Sequence, residues 1–230
     1  MNQGRQCLSL LVGCAALLLG LTAPAAVGQA VGHAEGAVVS CLPVAERAGR
    51  EFGCFIVATQ GFGHLVPGRA FWHLSTFSTR SDAELVRGAQ GTVVESLGRV
   101  WLLTIADSGW RPAGGTHVAE IGPLPVTPDV SYMAQYMEAV FQPGMKSLVH
   151  RHSGPEAWYT LAGQTCLETP AGTMVGVAGG RPVIVPAGPP MELTATGTDV
   201  RRALVLILHD SAQPASSPAR DWSPKGLCKG

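Results

Sequence analysis

Charge is what this 230-residue chain has least of: Asp, Glu, Lys and Arg make up 14% of it, 16 acidic residues against 16 basic. A net charge of zero leaves no basic face for phosphates, which argues against nucleic acid, and no surplus of one sign for an acidic partner. No Cys-x-x-Cys occurs, so neither a dithiol redox motif nor a zinc knuckle is indicated. A glycine-rich phosphate loop and a Ser-His-Asp set with a local signature are also missing. Long helices are disfavoured as well. Gly (29) and Pro (17) fill about a fifth of the chain, and helix interiors exclude both, so the composition points to short strands joined by turns. What is present is apolar: 46% of the residues are hydrophobic. That is enough for the core of one large or two small domains.

Residues 1–30 read as a secretory signal peptide. Arg5 precedes a nearly unbroken apolar run from Cys7 to Leu21, and a small-residue cleavage region follows from Ala23 to Ala30. The run is too short and too weakly flanked for a comfortable membrane span. Leu11-Val12-Gly13-Cys14 has the look of a lipoprotein site, but the apolar stretch continues past Cys14 instead of ending there. The mature chain is therefore expected to be periplasmic or secreted, with no membrane attachment after cleavage. Cys7 and Cys14 leave with the signal. Cys41, Cys54, Cys166 and Cys228 remain, and in an oxidising compartment they suggest two disulfides with three possible pairings. Cys41 with Cys54, closing a short loop, is the expected first pair; Cys166 with Cys228 would then staple the tail.

Residues 31–40 are small and expected to be loosely ordered. In the segment 41–122, the aromatic run 71–77 reads as a strand. Ser81-Asp82-Ala83-Glu84 has the form of a capping box and predicts a helix over 80–88 ending at Gly88. Strands at 91–97 and 99–106 turn at Gly98, which makes 41–122 an α+β subdomain or a degenerate first barrel. Pro123, Pro125 and Pro128 then interrupt any helix or central strand and mark a boundary. Beyond it, short β-runs at 132–141, 147–152, 156–162, 173–177, 182–186, 190–196 and 202–209 predict a sandwich or barrel over 130–210. The tail, 211–230, is rich in Ser, Pro and Ala and is expected to be irregular.

The chemistry concentrates at His150-Arg151-His152. Residues two apart on a strand share a face, so both imidazoles point one way, their Cα atoms roughly 6.6 Å apart. Ser153-Gly154-Pro155 reads as a turn that brings Glu156 back beside them. Two imidazoles and a carboxylate on one side of an ion form an arrangement that suits Fe(II), Mn(II) or a related metal and leaves positions open. Arg151 faces the other way and reads as a surface charge.

These residues resemble the first motif of the cupin superfamily. Gly144, His150, His152, Glu156 and Gly163 stand with intervals of five, one, three and six residues. Gly180 and, five residues on, Pro186-Ala187-Gly188 are similar to the second motif. The resemblance implies a mostly β fold: a cupin-like barrel (double-stranded β-helix or jelly roll) over 130–210, preceded by the smaller α+β or degenerate-barrel segment. It also implies a divalent metal (Fe, Mn, Zn, Ni or Cu), a small-molecule ligand and a homodimer. The activity implied is dioxygenase-like or isomerase chemistry, the alternative being a non-catalytic metal or small-ligand binding module. The sequence departs from the pattern at Met191, where the second motif would supply a histidine, and at Ala195, where it would supply an asparagine. Met191 is a soft ligand candidate or a filler of the core. Tyr136 and Trp158 are candidates to line the pocket, and Glu138 is a candidate general base. His209, ending a strand, is a remote candidate for a fourth ligand. His73 and His117 lack partners in the pattern and read as structural.

Overall fold

The computed structural model describes residues 38–39 and 41–229. The signal-peptide reading of 1–30, with Cys7 and Cys14, and most of 31–40 lie outside the described residues.

In chain order, β1 (Val38–Val39) and β2 (Cys41–Pro43) lead through a 3-10 turn (Val44–Glu46) into the long β3 (Gly53–His64). Then come β4 (Phe71–Phe77), α1 (Arg80–Val86), β5 (Gly91–Ser96), β6 (Arg99–Ala106) and β7 (Thr116–Ile121). The second half holds β8 (Ser131–Phe141), β9 (Lys146–Ser147), β10 (His150–Arg151), β11 (Glu156–Ala162) and β12 (Gln164–Thr169). It closes with β13 (Gly172–Val177), β14 (Val183–Val185), β15 (Glu192–Thr196), β16 (Arg201–Asp210) and β17 (Ser217–Pro218). The helix is capped by Thr79, not by Ser81 as its sequence pattern predicts. Thr79 Oγ1 accepts from the Asp82 N–H at 3.1 Å and donates to the Asp82 carboxylate at 2.7 Å, so the reciprocal cap is shifted two residues toward the N-terminus.

Three sheets stack into layers. A six-stranded sheet, ordered β14-β11-β16-β8-β3-β2, lies in the middle. One of its faces packs on the five-stranded sheet β1-β9-β15-β12-β13 through a core that includes Met137, Phe141, Trp158, Leu167, Leu193 and Ile207. The other packs on the four-stranded sheet β5-β6-β4-β7 through Trp72, Leu74, Trp101, Leu103, Tyr136 and Leu206. The first two sheets face each other without sharing a strand, so the fold is mostly β and jelly-roll-like with open edges rather than a sealed barrel. Burial on both faces explains why β16 reads Ala-Leu-Val-Leu-Ile-Leu without alternation: odd positions such as Val205 and Ile207 enter one core, and even positions such as Leu204 and Leu206 enter the other.

The proline-rich stretch near 122–128 is not a border between independent sheets. β3, from before it, pairs antiparallel along β8, from after it, over Gly53 to His64. Residues 41–122 therefore build the whole outer sheet and also lend the central sheet a full-length strand. β3, β7 and β12 are among the strands of the layered core that the sequence patterns leave unmarked. Gly61 and Gly63 dilute β3, and the polar ends of Gln-Thr-Cys-Leu-Glu-Thr dilute β12.

The tail is built into the fold. β17 pairs with β10, and Glu168 accepts from the backbone N–H groups of Lys225 and Leu227, the latter at 2.8 Å. Cys166 is joined to Cys228 with Cα atoms 5.6 Å apart, and Cys41 to Cys54 at 4.4 Å. The expected irregular tail is short of regular strand, but it is clasped to the rest of the fold at several points.

Candidate functional site

Between the five- and six-stranded sheets lies a cavity of about 460 Å³. Its walls are mostly apolar, with Ile56, Met137, Phe141, Leu193 and Ile207 among them, and His150, His152, Glu156 and Arg201 converge on it as its charged or titratable groups. A largely apolar chamber with a few convergent polar groups is the usual form of a small-molecule site.

His150 and His152 precede the turn that starts with Ser153 and returns at Glu156. Gly154 makes the turn possible. A Cβ there would run into the Leu208 carbonyl oxygen, with His209 Cα 2.9 Å away, while the Pro155 carbonyl accepts from Leu208 N–H at 2.9 Å. Gly154→Ala is therefore expected to destabilise the protein by about 2–3 kcal/mol through backbone displacement. Urea unfolding measures this, and an unchanged midpoint would show that β16 yields without cost.

The imidazoles are oriented from behind. His150 Nδ1 lies 2.6 Å from the Leu148 carbonyl, and His152 Nδ1 lies 2.6 Å from the Ala215 carbonyl. A carbonyl can only accept, so each Nδ1 carries the proton and each Nε2 presents a lone pair. Those two Nε2 atoms face each other at 3.1 Å. Two lone pairs at that separation repel unless a proton or a metal cation lies between them. Two imidazoles bound at about 2.1 Å and at right angles on one ion would have nitrogens about 3.0 Å apart, so the spacing suits adjacent ligands. Glu156 Oε2 stands 3.6 Å from His152 Nε2, is buried, and has no hydrogen-bond partner among the described residues. The unpaired carboxylate oxygen and the facing nitrogens fit a cation. Among the described residues, however, no group of three or more His, Cys, Asp or Glu side chains is arranged to hold a metal ion; the two histidines meet and Glu156 stands back from them.

The electrostatics follow the same geometry. Burial works against an imidazolium at His152, but the Glu156 carboxylate outweighs it and holds His152 above the ordinary histidine value. Burial likewise lowers His150, and the neighbouring His152 charge adds to the effect. Burial would raise Glu156, yet His152, His150 and Arg201 together bring it below the usual carboxylate range.

Other candidates fall elsewhere. On β8, Gln135, Met137, Ala139 and Phe141 line the cavity, so Tyr136 and Glu138 lie on the opposite face of the strand. Tyr136 is fully buried against the outer sheet, its ring centroid 6.3 Å from that of Trp72. Glu138 accepts from Arg47 Nη1, from Ser96 Oγ at 2.6 Å and from Leu97 N–H at 3.3 Å. A carboxylate so occupied, on the far side of the sheet, is not placed to act as a base in the cavity. Trp158 shares a face with Glu156 but is fully buried in the core and stays off the cavity wall. Met191 is bridged through its backbone to His150, while its side chain belongs to the same core and does not line the cavity. Thus neither Tyr136, Trp158 nor Met191 reaches the chamber. Arg151 pairs on the surface with Asp221 at 2.7 Å. His209 is held by the Asp210 and Gln213 carbonyls. His73 and His117 sit together in the outer sheet, His73 bonded to the Asp107 carbonyl at 3.0 Å.

Arg201 is the cavity residue that the sequence patterns do not single out. It follows a turn, beside a second arginine, and looks like one of two exposed charges. The register of β16 places it: Arg201 lies in step with Val205 and Ile207, which face the chamber, whereas Arg202 is exposed.

No family model matches the chain, and no curated protein matches it in sequence. The solved structures to which it is similar are mostly cupins and other double-stranded β-helix proteins. One is a cupin-like protein from Thermotoga maritima, 15% identical over 37% of this chain and 64% of that one, with a TM-score of 0.34. Another is a cupin superfamily protein from Desulfitobacterium hafniense, 17% identical over 38% of this chain and 74% of that one, TM-score 0.31. A third is the oxalate decarboxylase of Bacillus subtilis, 19% identical over 39% of this chain and 24% of that one, TM-score 0.33. The chain thus spans less than two thirds of the first and about a quarter of the third. The likeness is one of fold, and it covers well under half of this chain.

Proposed function

We propose that the protein is an exported, metal-binding cupin that acts on a small organic molecule in the chamber between the two sheets. The observation that carries this reading is the facing pair of unprotonated Nε2 atoms on His150 and His152, set beside the unpartnered Glu156 oxygen. These three residues would hold a divalent ion, which when bound would polarise an oxygen of the ligand as a Lewis acid. The chain's own groups do the rest. The Leu148 and Ala215 carbonyls keep both rings in one tautomer, and the apolar walls exclude water and strengthen every charge inside. The chemistry favoured is dioxygenase-like or isomerase turnover. Export is supported by two disulfides, which persist in oxidising compartments.

A non-catalytic binding module is the second reading, favoured by Met191, whose side chain packs in the core at the place where the motif would offer a further imidazole. Elemental analysis of the purified protein, followed by oxygen uptake and product analysis with catechols, flavonols and diketones, separates the two. The proposal expects about one ion per chain and turnover of at least one ligand class. Metal without turnover would leave the binding module, and no metal even after reloading would overturn the metal-dependent reading.

A further inference from the structure

We propose that Arg201 is a carboxylate anchor, so that the chamber takes a small organic acid with an apolar body. This deepens the functional reading above and rests on it for the second contact of the ligand, although the guanidinium itself needs no metal. Arg201 is fully buried and lines the cavity. Its Nε donates to Thr165 Oγ1, and the guanidinium carbon lies 5.4 Å from the centre of the Phe141 ring. These contacts fix the plane of the fork. Gly163 helps to set the backbone there: its φ is +66°, and a Cβ on it would stand 2.8 Å from Arg201 Cα.

Nη1 and Nη2 have no hydrogen-bond partner among the described residues, although both are buried. Four N–H donors of a cation are thus held beside a mostly apolar chamber with no described protein group to receive them. Leaving a buried cation unpaired is costly, and proteins place such a group where a ligand completes it. Burial lowers the group to about 10, with the Glu156 charge pulling the other way, so it remains a cation at neutral pH. Glu156 offsets the charge at a distance without bonding to the fork. Two parallel N–H vectors from a planar guanidinium match the two oxygens of a carboxylate. The charge count agrees. Glu156 and Arg201 cancel, so a divalent ion would leave the chamber with an excess of two positive charges, which an acid reduces and a neutral ligand does not. The neighbouring walls, Phe141, Val205 and Ile207 among them, favour a ligand whose remainder is hydrocarbon.

The test is calorimetric titration of the purified protein, its metal content measured on the same sample, with propionate, hexanoate and benzoate, each beside its primary amide. At least one acid is expected to bind ten or more times tighter than its amide. Arg201→Lys, which keeps the charge but loses the fork, should weaken that acid about tenfold, and Arg201→Met should erase the preference. Acids and amides binding alike, or no acid binding at all, would overturn the proposal; the wild-type comparison decides this even if Arg201→Met fails to fold. One ion per chain without acid preference sinks the anchor alone, whereas acid preference in a protein that takes up no metal sinks the metal reading alone.

Discussion

Alanine in place of His150, His152 or Glu156 is expected to leave the purified protein without stoichiometric metal, while His73→Ala keeps the wild-type content. The contrast follows from where the side chains are. His150 and His152 bring Nε2 atoms to 3.1 Å with their proton-bearing nitrogens turned away to carbonyls. Removing either ring halves the nitrogen donor set. Removing Glu156 takes away the one carboxylate among the described lining residues and leaves a divalent ion uncompensated next to Arg201. Loss of an outer-shell partner alone typically weakens a metal by about 10–100-fold, so loss of a direct ligand should exceed that. His73 sits in the outer sheet against Asp107 and Glu120, on the other side of the central layer. Elemental analysis, with circular dichroism to show that each variant is folded, measures the outcome. Full metal content in His150→Ala would mean that the ion, if present, is held elsewhere.

The second large effect concerns the tail. Cys166 and Cys228 are separated by 62 residues, against 13 for Cys41 and Cys54. The loop-entropy account gives about 4 kcal/mol for the longer closure and about 3 kcal/mol for the shorter. Cys228→Ala should therefore lower the unfolding free energy by about 4 kcal/mol in denaturant titration, somewhat more than Cys41→Ala. A functional consequence is attached. The carbonyl that fixes the His152 tautomer belongs to Ala215, in the same tail, and β17 pairs with the strand that carries His150. Releasing Cys228 should thus weaken metal retention as well as the fold. Unchanged stability and metal content would show that β17 and Glu168 hold the tail unaided.

What the sequence made legible depended on whether one face of a strand could be told from the other. His150 and His152 are two apart, so their common direction follows from the pleat alone, whatever surrounds them. The turn at Gly154 and the helix from Arg80 likewise carry local signals. Tyr136 and Glu138 lie on β8, apolar along both faces because the central sheet is covered twice. Parity there has no polar side to anchor it, and both residues belong to the outer core. Arg201 is the converse case, a charge among apolar neighbours whose direction only the register of β16 reveals. The layering itself was hidden. The proline-rich stretch after Ile121 looks like a border between domains, and only long-range pairing of β3 with β8 shows that strands on both sides of it share one sheet.

X-ray absorption at the metal edge of the protein as purified addresses the facing imidazoles most directly. The expected spectrum contains scattering from two imidazole rings at about 2.0–2.1 Å, and His152→Ala is expected to lose the metal edge with its metal. A metal shell without imidazole, or one identical in the wild type and in His152→Ala, would contradict the site.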